Sequence, residues 1–102
     1  MSAEYPVTTI CGSMRFYDEM LKVAAILTAD GYIVLMPFVS SYMGGKESDE
    51  QKKMLDEMHK VKIDMSQSIT VVGWRVHLGE STKEEIEYAK ATEKDTALWG
   101  GN

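Results

Sequence analysis

The segment from Pro6 to Met36 restricts the fold of this chain more than any other. Pro6-Val7-Thr8-Thr9-Ile10-Cys11 is short, β-branched and largely apolar, and Gly12-Ser13 follows at once. It reads as a buried strand ending in a tight turn. From Arg15 to Asp30 the pattern becomes helical, with Met20, Leu21, Ala24, Ala25 and Leu27 on an apolar face and Asp18, Glu19 and Lys22 opposite. Asp30-Gly31 ends that helix, the glycine suiting a left-handed C-cap. Tyr32-Ile33-Val34-Leu35-Met36 is then a second buried strand, closed by Pro37. Strand, helix and strand within about thirty residues form a right-handed crossover that joins parallel strands.

The remaining pattern extends that unit. Phe38 to Ser48 reads as a loop containing Ser40-Ser41-Tyr42-Met43-Gly44-Gly45-Lys46, with room for a short helix and long enough to be a lid or ligand loop. Ser48 or Asp49 caps a second helix reaching about Ser66. Ile69 to Trp74 is the third strand, Thr82 to about Thr92 the third helix, and Thr96-Ala97-Leu98-Trp99 a short last strand before a frayed end. The expected architecture is one domain over 1–102. It is a small doubly wound α/β sandwich of three layers, Rossmann- or flavodoxin-like, with a mainly parallel sheet of four to five strands.

Composition narrows the function. A length of 102 residues allows a single modest core, and a net charge of −5 disfavours a nucleic acid polymer or an anionic membrane as partner. A small anion held at a local positive site is still compatible with it. The single cysteine, Cys11, rules out an intrachain disulfide or a cysteine metal cluster. No run of 18 apolar residues occurs, and Met1 to Pro6 lacks a signal-peptide layout, so a cytoplasmic location is expected.

In parallel α/β sheets the loops after the strands gather at one edge, where ligands bind. Gly12-Ser13-Met14-Arg15 should therefore face the stretch Gly79 to Glu85 across a crevice. Gly12 permits a tight turn, the following amides sit at a helix start, and Ser13 and Arg15 add a hydroxyl and a fixed positive charge, a set that suits phosphate. It is neither GxGxxG nor GxxxxGK[ST]. The plainer roles are a Ser13 cap and an Arg15–Glu19 pair. Ser81 reads as an N-cap with Glu84 three residues on, a capping box. Of Glu84, Glu85 and Glu87, Glu85 has the position expected of a catalytic carboxylate, and a helix start would keep it ionised.

Elsewhere the plainer readings lead. Met54, Leu55, Met58, Val61 and Met65 form a stripe suited to core or dimer interface. His59 and His77 are too far apart for a metal pair and read as surface residues, and neither a metal nor an organic cofactor is required. Cys11 reads as a small buried hydrophobe, Asp64 as a surface aspartate, and the aromatics Tyr17, Tyr42, Trp74 and Trp99 mostly as packing.

Three segments together resemble the nucleoside 2-deoxyribosyltransferase superfamily, which includes the 2′-deoxynucleoside 5′-phosphate N-hydrolases; the likeness is to its short phage- and bacterial-type members. Ile10-Cys11-Gly12-Ser13-Met14-Arg15 is similar to that family's phosphate loop after the first strand. Lys62-Ile63-Asp64-Met65 resembles the segment whose aspartate serves the sugar or the attacking group. Ser81-Thr82-Lys83-Glu84-Glu85-Ile86-Glu87-Tyr88-Ala89 resembles the family's glycine-threonine-x-x-glutamate-isoleucine-glycine-tyrosine-alanine motif. The resemblance spans nearly all of 7–99. It implies Glu85 as nucleophile, Asp64 as its catalytic partner, and Gly12, Ser13, Met14, Arg15, Gly79, Ser81 and Thr82 as substrate-binding positions. It further implies a small-molecule nucleoside or nucleotide as substrate, with a homodimer as the working form.

The expected function is therefore cleavage of an N-glycosidic bond in a (deoxy)nucleoside or its 5′-monophosphate, by hydrolysis or by base transfer, with Arg15 favouring hydrolysis. Glu87, where the family has glycine, and Gly79, where it often has aspartate or serine, favour a rival: a nucleotide-binding module without turnover. A receiver-like regulatory domain ranks below both, because the acidic pocket and lysine it needs are missing.

Overall fold

Among the described residues, four short runs become strands, all parallel: β1 (Val7–Cys11), β2 (Ile33–Leu35), β3 (Ser68–Val71) and β4 (Asp95–Leu98). The described α-helices between them are α1 (Tyr17–Ala29), entered through a 3₁₀ turn at Met14–Phe16, then α2 (Asp49–Asp64) and α3 (Glu80–Ala91). The computed structural model describes residues 5–38 and 47–100, so 39–46, most of the lid loop expected from Phe38 to Ser48, lie outside the described residues. The strand order is β2-β1-β3-β4. The chain first steps from β1 to one side and later continues from β3 on the other. The two central strands therefore flank a topological switch point, where such sheets open a crevice.

The two-residue period of the strands splits the core in two. Ile10 and Val72 face α1 and pack with Met20 and Val23. Cys11, Ile69 and Val71 face the other way, against Ile63 of α2 and Ala89 of α3. A fully buried Ile or Met contributes about 1.5–3 kcal/mol, so these few side chains carry most of the hydrophobic stabilisation. The threonines of β1 are buried too, but satisfied. Thr8 Oγ1 meets Thr70 Oγ1 at 2.8 Å, and Thr9 Oγ1 meets Ser66 Oγ at 2.6 Å and donates to the Lys62 carbonyl at 2.9 Å.

Helix ends follow local chemistry. Ser48 and Gln51 form a reciprocal capping box, with bonds of 3.1 and 2.9 Å, that starts α2. Gly31 adopts φ +95° just past α1, in the left-handed conformation expected of it. Three expectations need correcting. Helix α3 starts at Glu80 with Gly79 as a cap that makes no side-chain bond, so Ser81 lies inside the first turn rather than capping it. Strand β2 is an edge strand among the described residues, where only β1 pairs with it, and Ile33 is 48% exposed. Of the stripe expected to be core or dimer interface, Met54, Met58, Val61 and Met65 are 46–60% exposed and so are not core, and only Leu55 turns inward. The inward face of α2 is instead Leu55, His59 and Ile63, spaced four apart. Among the described residues, no helix is long and apolar enough to cross a membrane.

Candidate functional site

Strand β1 ends at Cys11, and the chain leaves it through Gly12 at φ +152°. A Cβ there would lie 2.6 Å from the Val72 carbonyl oxygen, so only glycine lets this turn pass so close to the end of β3. Ser13 spends its hydroxyl on the next turn, accepting from the Arg15 amide at 3.3 Å. Across from this loop, Gly79 to Thr82 form the start of α3, with Thr82 buried and Ser81 exposed. Between them lies a cleft of about 440 Å³, walled by Gly12, Ser13 and Met14 on one side and Gly79 to Thr82 on the other, and completed by α2 and by Pro37-Phe38.

Glu85 lines that cleft, its side chain 18% exposed, in contact with His59. His59 Nε2 is 3.6 Å from a Glu85 carboxylate oxygen and 3.6 Å from Cys11 Sγ. The ligand-type atoms of all three residues lie within 4.8 Å of one another. Burial lowers the His59 pKa from 6.5 to about 4, with Lys62 adding to the drop and Asp56 opposing it, so the imidazole is neutral near pH 7. Burial also raises the Glu85 carboxyl from 4.5 to about 7. The Cys11 thiol is pushed well above its usual 9.0, first by burial and then by the neighbouring Glu85. The His59–Glu85 approach is thus a contact between a neutral ring and a carboxyl group, not an ion pair.

The raised Glu85 pKa corrects the expectation that a helix start would keep it ionised. Glu85 is the sixth residue of α3, past the first turn where the macrodipole acts, and desolvation dominates there.

Seven of the expected site residues share this cleft: Gly12, Ser13, Met14, Gly79, Ser81, Thr82 and Glu85. Two do not. Arg15 sits exposed in the 3₁₀ turn, its guanidinium 5.9 Å from the Phe16 ring centre, and it makes no ion pair with Glu19. Asp64 is the last residue of α2, at the amino edge of the sheet. There it accepts from the Tyr88 hydroxyl at 2.6 Å, while its backbone carbonyl takes the Lys94 ammonium at 3.1 Å. A helix that precedes a parallel strand must end at the edge opposite the cleft, which is why Asp64 is excluded from it. Glu87 is exposed and lies outside the cleft.

Other cleft residues went unassigned by sequence reasoning. Lys52, Lys62 and His77 bring positive or titratable nitrogens to it, with Asp56 and Glu80 opposing them. Lys62 donates to the Met36 carbonyl at 2.7 Å and so anchors the exit of β2. His59 is buried, contrary to its surface reading. The signal was present in the four-residue spacing of Leu55, His59 and Ile63, but the more apolar methionine stripe masked it. Compared with models of protein families and with curated proteins, the chain matches none.

Proposed function

We propose that this chain cleaves the N-glycosidic bond of a (deoxy)nucleoside or its 5′-monophosphate, with Glu85 as the nucleophile. The observation that carries this reading is the meeting of three parts at one cleft: a glycine-led loop after β1, the start of α3, and the half-buried carboxylate of Glu85 between them. A carboxylate beside C1′ captures the oxocarbenium-like centre as the bond to the base breaks. Water, or a second base, then takes the sugar from Glu85, which leaves as the free carboxylate. In hydrolysis the water oxygen ends on C1′ and its protons are shared between the sugar and the departing base.

The amides of Gly12 to Met14, together with Lys52 and Lys62, suit a 5′-phosphate, and such remote contacts position the sugar for attack. Arg15 points to no reaction class from its place outside the cleft, so hydrolysis and base transfer stand level. The reading carries a homodimer with it, and the exposed stripe of Met54, Met58, Val61 and Met65 offers the apolar area such a contact needs. The position of Asp64 outside the cleft favours a second reading, a nucleotide-binding module without turnover.

The test is incubation of the pure protein with a panel of nucleosides and 5′-monophosphates, followed by chromatography for free base. Free base without an acceptor means hydrolysis, and exchange only with a second base means transfer. Binding without either product supports the module instead.

A further inference from the structure

We infer that Cys11, His59 and Glu85 form a binding site for one divalent metal ion of the zinc class, opening onto the cleft. Three elements converge there: the end of β1, the middle of α2 and the second turn of α3. Their ligand-type atoms fall within 4.8 Å of one another, with Nε2 at 3.6 Å from both Sγ and the carboxylate oxygen. A tetrahedral ion with bonds of about 2.3 Å to sulfur and about 2.0–2.1 Å to nitrogen and oxygen separates its ligand atoms by roughly 3.3–3.6 Å. The two separations about His59 Nε2 match such a centre, and the third pair, Sγ and carboxylate, lies within 4.8 Å, inside the reach of a side-chain rotation.

The arrangement does not suit a cysteine–histidine–carboxylate relay. There the nucleophile meets one ring nitrogen and the carboxylate orients the other. Here both approach Nε2, while Nδ1 is buried with no hydrogen-bond partner among the described residues. Nor is it a well-bonded polar core. At 3.6 Å the nitrogen–oxygen approach exceeds hydrogen-bond length. What holds the cluster is the soft Cys11 Sγ, in weak contact with His59 Nε2 at 3.6 Å and with the Thr9 carbonyl at 4.0 Å, contacts that a shared ion would replace with stronger bonds.

Charge fits as well. On binding, Cys11 releases its proton to solvent, Glu85 releases any it holds, and His59 coordinates as a neutral base through Nε2 with its proton on Nδ1. A thiolate, a carboxylate and a divalent ion sum to zero, so the buried site carries no net charge. Sulfur and nitrogen ligands select zinc over magnesium or calcium, which take oxygen. Cys11 is fully buried, but His59 and Glu85 line the cleft, giving the ion its route and leaving a fourth position for water. If Glu85 is the nucleophile proposed above, a bound ion engages its lone pair and silences cleavage.

Titration of the chelator-treated full chain with Co²⁺, read by absorption and followed by displacement with Zn²⁺, tests the site without recourse to turnover. One equivalent of Co²⁺ should bind with a thiolate-to-cobalt charge-transfer band in the near ultraviolet, and Zn²⁺ should abolish the band. Cys11→Ser should remove the band. The near-isosteric Glu85→Gln, checked for folding by circular dichroism, should weaken binding at least about tenfold. Asp64→Asn should leave it unchanged. Folded wild-type protein without the band, or Glu85→Gln binding as tightly as wild type, would overturn the inference, whatever the outcome of the base-release assay.

Discussion

The two edges of the sheet hold the same kinds of residue under different demands. At the carboxyl edge, Gly12 is pressed against the Val72 carbonyl and Glu85 is half-buried beside His59 and Cys11. At the amino edge, a Cβ on Gly31 would meet no neighbour and Asp64 is exposed, bonded to Tyr88. Residue type alone does not separate the members of either pair. What separates them is the edge, and chain order fixes that: residues after a strand reach one edge, and residues at the end of the helix before a strand reach the other.

The largest contrast is expected between the glycines. Gly12→Ala must displace the end of β3 as well as adopt positive φ, and should cost about 3 kcal/mol or more in urea unfolding. Gly31→Ala meets no neighbour and should cost only the left-handed penalty, about 1–2 kcal/mol. Equal losses would erase the distinction between the edges.

The carboxylates come next. A nucleophile must be ionised, so base release by metal-free protein should climb with pH through about 7, falling on the order of 100-fold from its plateau by about pH 5. A profile flat across that range would remove Glu85 from the chemistry. The same carboxyl links pH to stability. Between pH 4.5 and about 7 folded Glu85 keeps a proton that the unfolded chain has lost, so its contribution lowers stability as pH rises. Above about 7 the deficit is roughly 3–4 kcal/mol, and below 4.5 it is absent. Glu85→Gln should therefore be more stable than wild type at about pH 8 and equal to it in acid, as thermal melts across pH would show. His59 has the opposite slope, losing stability as pH falls from 6.5 toward about 4, but it is common to both proteins and cancels in the difference.

The smallest effect belongs to the amino edge. Asp64 raises the Tyr88 phenol by accepting its hydrogen bond, so Asp64→Asn should let Tyr88 titrate closer to 10.0, read by NMR of labelled tyrosine. No change in the midpoint would mean the bond is not held in solution.

Much of this fold was legible in the sequence. The β-branched run before Gly12, the Asp30-Gly31 stop and the Ser48 cap each have a local cause, and local causes survive folding. The errors arose where neighbours decide. Ile33 belongs to a strand whose composition suits burial, but only pairing shows it to be an edge. On α2, Met54, Met58, Val61 and Met65 form the more apolar stripe, yet Leu55, His59 and Ile63 are the residues turned inward. The cleft loops were found through the rule for strand ends. The same rule, applied to the end of α2, would have set Asp64 aside.

In the proposed reaction the Glu85 carboxylate performs the chemistry and Asp64 does not. Base release from nucleoside 5′-monophosphates, compared among wild type, Glu85→Ala and Asp64→Ala, tests it most directly. A loss on the order of 10³-fold or more is expected for Glu85→Ala and a change within about twofold for Asp64→Ala. Activity that survives in Glu85→Ala, or falls as far in Asp64→Ala, would contradict it.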